Sequence, residues 1–138
     1  MLIPTTPFGQ RVERRLAEER IIWLTTVSAD GTPHPKPVWF WWDGESFLIY
    51  SKPNTFKLAH IEANPHVALN FDGDGLGGNI IVFTGEARLD PTAPPAHRVP
   101  EYAAKYQPGF ERIGLTAEQF AAAYSVALRV IPTSLRGH

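Results

Sequence analysis

"VSADGTPHPKPVWFWWDGESFLIY", residues 27–50, decides the fold. Two Asp-Gly pairs, Asp30-Gly31 and Asp43-Gly44, bracket a segment in which alternate prolines (Pro33, Pro35, Pro37) lead into Trp39, Trp41 and Trp42. Asp-Gly between β-branched and aromatic runs signals a tight hairpin, because glycine reaches positive φ at little cost. The stretch therefore predicts three antiparallel strands: "IIWLTTV" before the first turn, one through the prolines and tryptophans, and one over Ser46–Ser51. Alternation along the middle strand sends Val38, Phe40 and Trp42 to one face and Trp39 and Trp41 to the other. Both faces are apolar, so barrel core covers one, and a helix, a partner subunit or a flat aromatic ligand covers the other.

The flanking sequence supplies the rest of an α+β domain. "TPFGQRVERRLAEERI" places Phe8, Val12, Leu16 and Ile21 near one helical face with charged residues opposite. "NTFKLAHIEANP" reads as a second helix, with Asn54 or Thr55 placed to cap it and Asn64-Pro65 to stop it. "HVALNFDG" and "NIIVFTGEARLD" are strands joined by the Gly-rich "DGDGLGG". Helices over about Arg98–Lys105 and Thr116–Tyr124 precede a last strand, "SVALRVIPTSL". The expectation is one domain over residues 1–138, with an antiparallel six-stranded sheet closing into a barrel and three or four flanking helices. The proline-rich "LDPTAPPAHRVP" connects elements inside it.

Composition narrows the function classes. Apolar residues make up 43% and charged residues 20% of 138, as in an ordinary globular domain. A net charge of −1 argues against non-specific nucleic-acid binding. With no cysteine there is neither a disulfide framework nor a thiolate metal site. The N-terminus lacks a signal-peptide pattern and no run approaches a membrane span, so the expectation is a soluble cytoplasmic protein without nucleic-acid or membrane partners.

Catalytic constellations are sparse. His34, His60, His66, His97 and His138 show no metal-ligand spacing, so no metal site is expected. The cluster "GDGLGGN" lacks the Lys-Ser/Thr ending of a phosphate loop and reads as a hairpin loop. Lys57 carries more information. It lies in the first turn of a helix, where free N–H groups and the helix dipole favour an anion and disfavour a cation. An anionic ligand would compensate both, with the Ser51 and Thr55 hydroxyls nearby; a solvated surface lysine is the competing reading. His34 and Lys36 lie close to the first hairpin turn.

"WLTTVSADGTPHPKPVWFWWDGESFLIYSKPNTFKLAHIEANPHVALNF", continuing through "FTGEARL" to "VIPTSLRGH", resembles the pyridoxamine 5′-phosphate oxidase-like family. Within it the chain is more similar to the short coenzyme F420-dependent flavin/deazaflavin oxidoreductases than to the oxidases proper, which carry Arg-Lys where this chain has Phe56-Lys57. The resemblance implies a split β-barrel (FMN-binding split barrel) homodimer with cofactor sites at the subunit interface. It implies a phosphate held by Lys57, with Ser51 and Thr55 assisting, and a ring lined by Pro37, Val38 and Trp39. Gly78 and Asn79 would reach over the partner's ring, Lys36 would meet the phosphate or the glutamyl tail of F420, and Arg136 is a further cofactor candidate. The implied activity is hydride transfer from F420H2 to a small organic acceptor such as an enone or quinone; FMN chemistry, or non-catalytic carriage of F420, flavin or haem, are the alternatives. If a side chain acts as general acid, His34 and Tyr50 are the candidates.

Overall fold

A computed structural model describes residues 2–138. It contains α1 (Pro7–Glu18), β1 (Ile22–Val27), β2 (Pro33–Val38), β3 (Trp41–Trp42), β4 (Phe47–Ser51), α2 (Phe56–Ala63), β5 (His66–Asn70), β6 (Ile81–Leu89), α3 (Pro100–Arg112), α4 (Ala117–Ala123) and β7 (Val126–Gly137). One antiparallel sheet runs β2-β1-β5-β6-β7-β4-β3.

That order forces the sheet to close. β2 and β3 are its opposite edges, yet only Trp39 and Phe40 separate them in sequence. Seven flat strands would hold those edges roughly 29 Å apart at the usual strand spacing. Three Cα–Cα steps reach at most about 11 Å. The sheet therefore curls until its edges nearly meet, which is the geometry of a split barrel.

The expected middle strand is thus two, and the strand count is seven rather than six. The break has a definite cause. Phe40 N–H donates to the Tyr106 hydroxyl at 2.8 Å, and the Phe40 carbonyl accepts from Lys105 Nζ at 3.1 Å, so its backbone groups are satisfied by α3 and not by a strand. The Tyr106 hydroxyl has one proton to give, and the Arg20 carbonyl at 2.7 Å is its nearest acceptor.

Alternation survives the break. Val38, Phe40 and Trp42 join Ile22, Leu24, Phe47, Ile49 and Phe83 inside the barrel. Trp39 and Trp41 point the other way, into a second cluster with Tyr102, Tyr106, Phe110 and Phe120. Of the three expected covers for that face, the chain itself supplies one: Trp39 stacks on Tyr106 at 4.6 Å and on Phe120 at 5.3 Å. Gly109 makes the approach possible, since a Cβ there would lie 2.8 Å from the end of the indole. All five residues of β4 are buried because it lies between the two clusters.

The helices follow their sequence signals with shifted ends. Thr6 caps α1 by accepting from Gly9 N–H at 3.1 Å, and Val12 and Leu16 face the core; Ile21 lies beyond the helix and is exposed. Thr116 and Gln119 form a reciprocal capping box on α4. α3 runs to Arg112, past the expected end at Lys105. Among the described residues no helix is long and apolar enough to cross a membrane.

Candidate functional site

Two clefts meet at the start of α2. The larger, about 1090 Å3, runs between the β1–β2 turn and α2, past Asp30, His34, Lys36, Phe56, Lys57 and His60. The smaller, about 390 Å3, is walled by Pro37, Val38 and Trp39 together with α3 and α4 residues. Lys36, Thr55 and Lys57 line both. Lys36 stands on β2 opposite Leu24, and Lys57 on the first turn of α2, so the fold converges two cations on the shared wall.

Nothing acidic neutralises them. Among the described residues the ion pairs within 4.0 Å involve neither lysine. Burial pushes the Lys57 ammonium below the ordinary lysine value, and repulsion from Lys36 pushes in the same direction. The helix end beside them is equally open. Thr55 occupies the N-cap position without a side-chain cap bond, and no acid stands in the first turn. Its hydroxyl pairs instead with Ser51 Oγ at 3.2 Å, while Asn54 adopts a left-handed backbone (φ 63°) that turns the chain into the helix. The Ser51 hydroxyl donates to the Lys52 carbonyl at 2.8 Å, which leaves the Thr55 proton for Ser51 Oγ, so free helical N–H groups and two ammoniums make the cradle for a phosphate or carboxylate.

The larger cleft has a polar far wall. Ser28 Oγ donates to Asp30 Oδ1 at 2.5 Å and lies 3.1 Å from His34 Nε2; Thr26 Oγ1 and His60 Nδ1 are 2.9 Å apart, and the two imidazoles lie 4.5 Å centroid to centroid. Hydrogen bonds from Ser28 and Thr32 hold the Asp30 carboxyl down at about 2. Phe56 projects from α2 with 85% of its surface exposed.

Of the expected site residues, Lys36, Pro37, Val38, Trp39, Thr55 and Lys57 line the clefts, and Ser51 bonds to Thr55 behind them. Trp39 presents only part of its indole, the rest being packed on α3 and α4. Gly78, Asn79 and Arg136 line neither cleft. Asn79 O accepts from Arg15 at 3.3 Å, and Arg136 sits opposite Val82 near the end of the β6–β7 ladder. Tyr50 lines the smaller cleft, but its hydroxyl donates to the Pro94 carbonyl at 2.6 Å and burial raises it to about 12. That bond takes the proton a general acid would have to give; His34 lines the larger cleft, where its Nε2 meets Ser28 Oγ, whose own proton goes to Asp30.

Sequence reading missed the wall supplied by α3 and α4. Tyr102, Ile113, Phe120 and Tyr124 complete the smaller cleft. Their apolar helical spacing marks burial, and nothing local distinguishes core from cleft.

Residues 8–133 match the family model described as pyridoxamine 5′-phosphate oxidase. The chain belongs to that family. The family's pyridoxine/pyridoxamine 5′-phosphate oxidase of Crocosphaera subtropica is 37% identical over 65 residues, 46% of this chain and 30% of that protein. General stress protein 26 of Bacillus subtilis is 30% identical over 86 residues, 61% of each chain. The matches therefore span less than two thirds of these curated relatives. A solved F420 reductase is 25% identical, with TM-score 0.65 over 90% of this chain and 94% of that one. The oxidase-like split barrel read from the sequence is the fold of this family member.

Proposed function

We propose that this family member is an F420H2-dependent oxidoreductase delivering hydride to a small organic acceptor. The observation that carries the reading is the unneutralised Lys36–Lys57 pair beside the uncapped α2 N-terminus, at the junction of a large cleft with one polar wall and an aromatic cleft. A phosphate suits the junction, an acidic glutamyl tail suits the long cleft, and a flat ring suits the Pro37–Trp39 wall. Similarity to an F420 reductase supports the same choice. FMN is the second reading, favoured by the family match; against it stands exposed Phe56, which leaves one cation on α2 for a compact phosphate.

Bound deazaflavin would supply the hydride itself. The chain's residues do the remaining work. Lys57 and Lys36 would neutralise the phosphate and tail, the α2 amides would orient it, and Val38 and Trp39 would exclude water from one side of the ring.

The other face of the sheet suits a second copy. Pro35, Thr25, Ala68, Thr84 and Ser134 lie in register across β2, β1, β5, β6 and β7, a row of small side chains that a flat partner can approach closely. In a homodimer, Gly78, Asn79 and Arg136 would act on the partner's site, and the outlying exposed Phe56 would be covered. Turnover is the test: F420H2 mixed with quinones and enones should be reoxidised faster with protein than in buffer. Binding without any turnover would identify a carrier.

A further inference from the structure

A separate cavity of about 150 Å3 lies between the α1–β1 connection and α3. Arg20 and Ile21 line it from the connection, and Lys105, Gly109 and Arg112 recur at helical spacing along one face of α3. Three cations thus meet one cavity, and no carboxylate lines it. Among the described residues none of the three is in an ion pair; Glu19, the acid whose charge reaches Lys105, is itself bound to Arg15 at 3.0 Å. The Tyr106 hydroxyl, on the same wall, spends its proton on the Arg20 carbonyl.

Lys105 carries the most information. Its ammonium has three N–H donors. One reaches the Phe40 carbonyl at 3.1 Å, and the Phe40 ring, its centroid 3.7 Å from Nζ, faces the charge from another side. No further hydrogen-bond partner for Nζ stands among the described residues. A half-buried ammonium left without a counter-ion is costly, and an anion in the cavity would remove that cost.

We propose that this cavity is a binding site for a small carboxylate with a compact apolar body, the carboxylate held by Lys105, Arg20 and Arg112 and the body set against Ile21 and Gly109. Guanidinium groups match the two oxygens of a carboxylate, and exposed Ile21 would be covered. A cavity of this size holds a benzene-sized molecule. The site uses neither lysine of the phosphate cradle, and it stands whether or not the hydride-transfer reading does. Glu19 and Arg20 face Lys105 from the α1 end, Tyr106 and Arg112 from α3, and the β2–β3 connection adds no charged group to the cavity. Burial raises the Tyr106 hydroxyl above the ordinary tyrosine value and lowers Lys105 to about 8, so Lys105 is the group that changes charge there in mildly alkaline solution. A carboxylate favours the charged lysine, so binding near that pH takes up protons.

The test titrates benzoate into the whole protein by calorimetry, beside neutral benzamide and inorganic phosphate. Benzoate should saturate one site at neutral pH, with benzamide and phosphate at least about tenfold weaker. Lys105→Met should weaken benzoate about tenfold or more, the range of one charge-assisted contact. Arg112→Gln, a change at an exposed side chain, should weaken it in the same direction and decides the matter if Lys105→Met does not fold. Lys57→Ala should leave benzoate affinity unchanged. At pH 8, heats in two buffers of different ionisation enthalpy should show proton uptake by wild type. No saturable binding, benzamide or phosphate binding as tightly as benzoate, affinity unchanged in both Lys105→Met and Arg112→Gln, absence of proton uptake, or a loss in Lys57→Ala would each overturn the proposal.

Discussion

Lys36 and Lys57 repel one another across the wall shared by the two clefts, and each lacks an ion-pair partner among the described residues. One comes from an edge strand and the other from a helix start, so the pairing is a product of the fold and not of local sequence. Holding like charges together costs free energy that a bound anion returns.

Lys57→Ala should therefore act in opposite directions on binding and stability. Cofactor dissociation should rise about tenfold or more, since a charge-assisted hydrogen bond contributes about 1.5–3 kcal/mol. The ligand-free protein should be as stable as wild type or slightly more so. Isothermal titration and urea unfolding of the same preparation check both.

The depressed lysines also set a pH response. Burial lowers Lys105 to about 8, from 10.5, with Glu19 opposing weakly, and Lys57 is lowered in the same sense. Between those values the unfolded chain holds protons that the folded chain has released. Stability of the ligand-free protein should thus rise with pH from about 8 toward 10.5, and Lys105→Met should flatten the rise. Anion affinity should fall over the alkaline range as Lys57 loses its charge, earlier than an ordinary lysine would allow. Urea midpoints and cofactor titrations across that range separate the two trends.

Tyr106→Phe should cost about 1–3 kcal/mol in urea unfolding. It leaves the buried Phe40 N–H without an acceptor and the Arg20 carbonyl without its donor, while Lys105 still serves the Phe40 carbonyl.

Gly109→Ala should push the Trp39 indole toward the smaller cleft, because the new methyl would stand 2.8 Å from its ring. Overpacking of this kind typically costs about 1–3 kcal/mol. Near-ultraviolet circular dichroism should change, and affinity for ligands in that cleft should drop.

Much of this architecture was legible in the sequence, for local reasons. Asp30-Gly31 and Asp43-Gly44 form turns with positive φ at both glycines, and period-two alternation assigned Val38, Phe40 and Trp42 to one face and Trp39 and Trp41 to the other. The break at Phe40 was not legible, because its cause, Tyr106, lies 66 residues away. Lys36 and Lys57 were recognisable one at a time, through the hairpin and the helix start; their convergence was not. Gly78 and Asn79, expected to reach a partner's ring, and Arg136, a further cofactor candidate, all lie apart from the clefts of the single chain.

Sedimentation should find a dimer, and a bulky charge on the mating face should break it: Ala68→Arg, at the centre of the row of small residues, should give a monomer with weaker cofactor binding. A monomeric wild type that binds cofactor fully would remove the partner from the site.

The most direct measurement is a paired titration of F420 and FMN into wild type and the Lys36→Ala/Lys57→Ala double variant. The account predicts micromolar F420 binding, much weaker FMN binding, and an F420 dissociation constant raised about a hundredfold in the double variant, as two lost charge-assisted contacts imply. Tighter binding of FMN than F420, or an F420 constant unchanged by loss of both lysines, would contradict it.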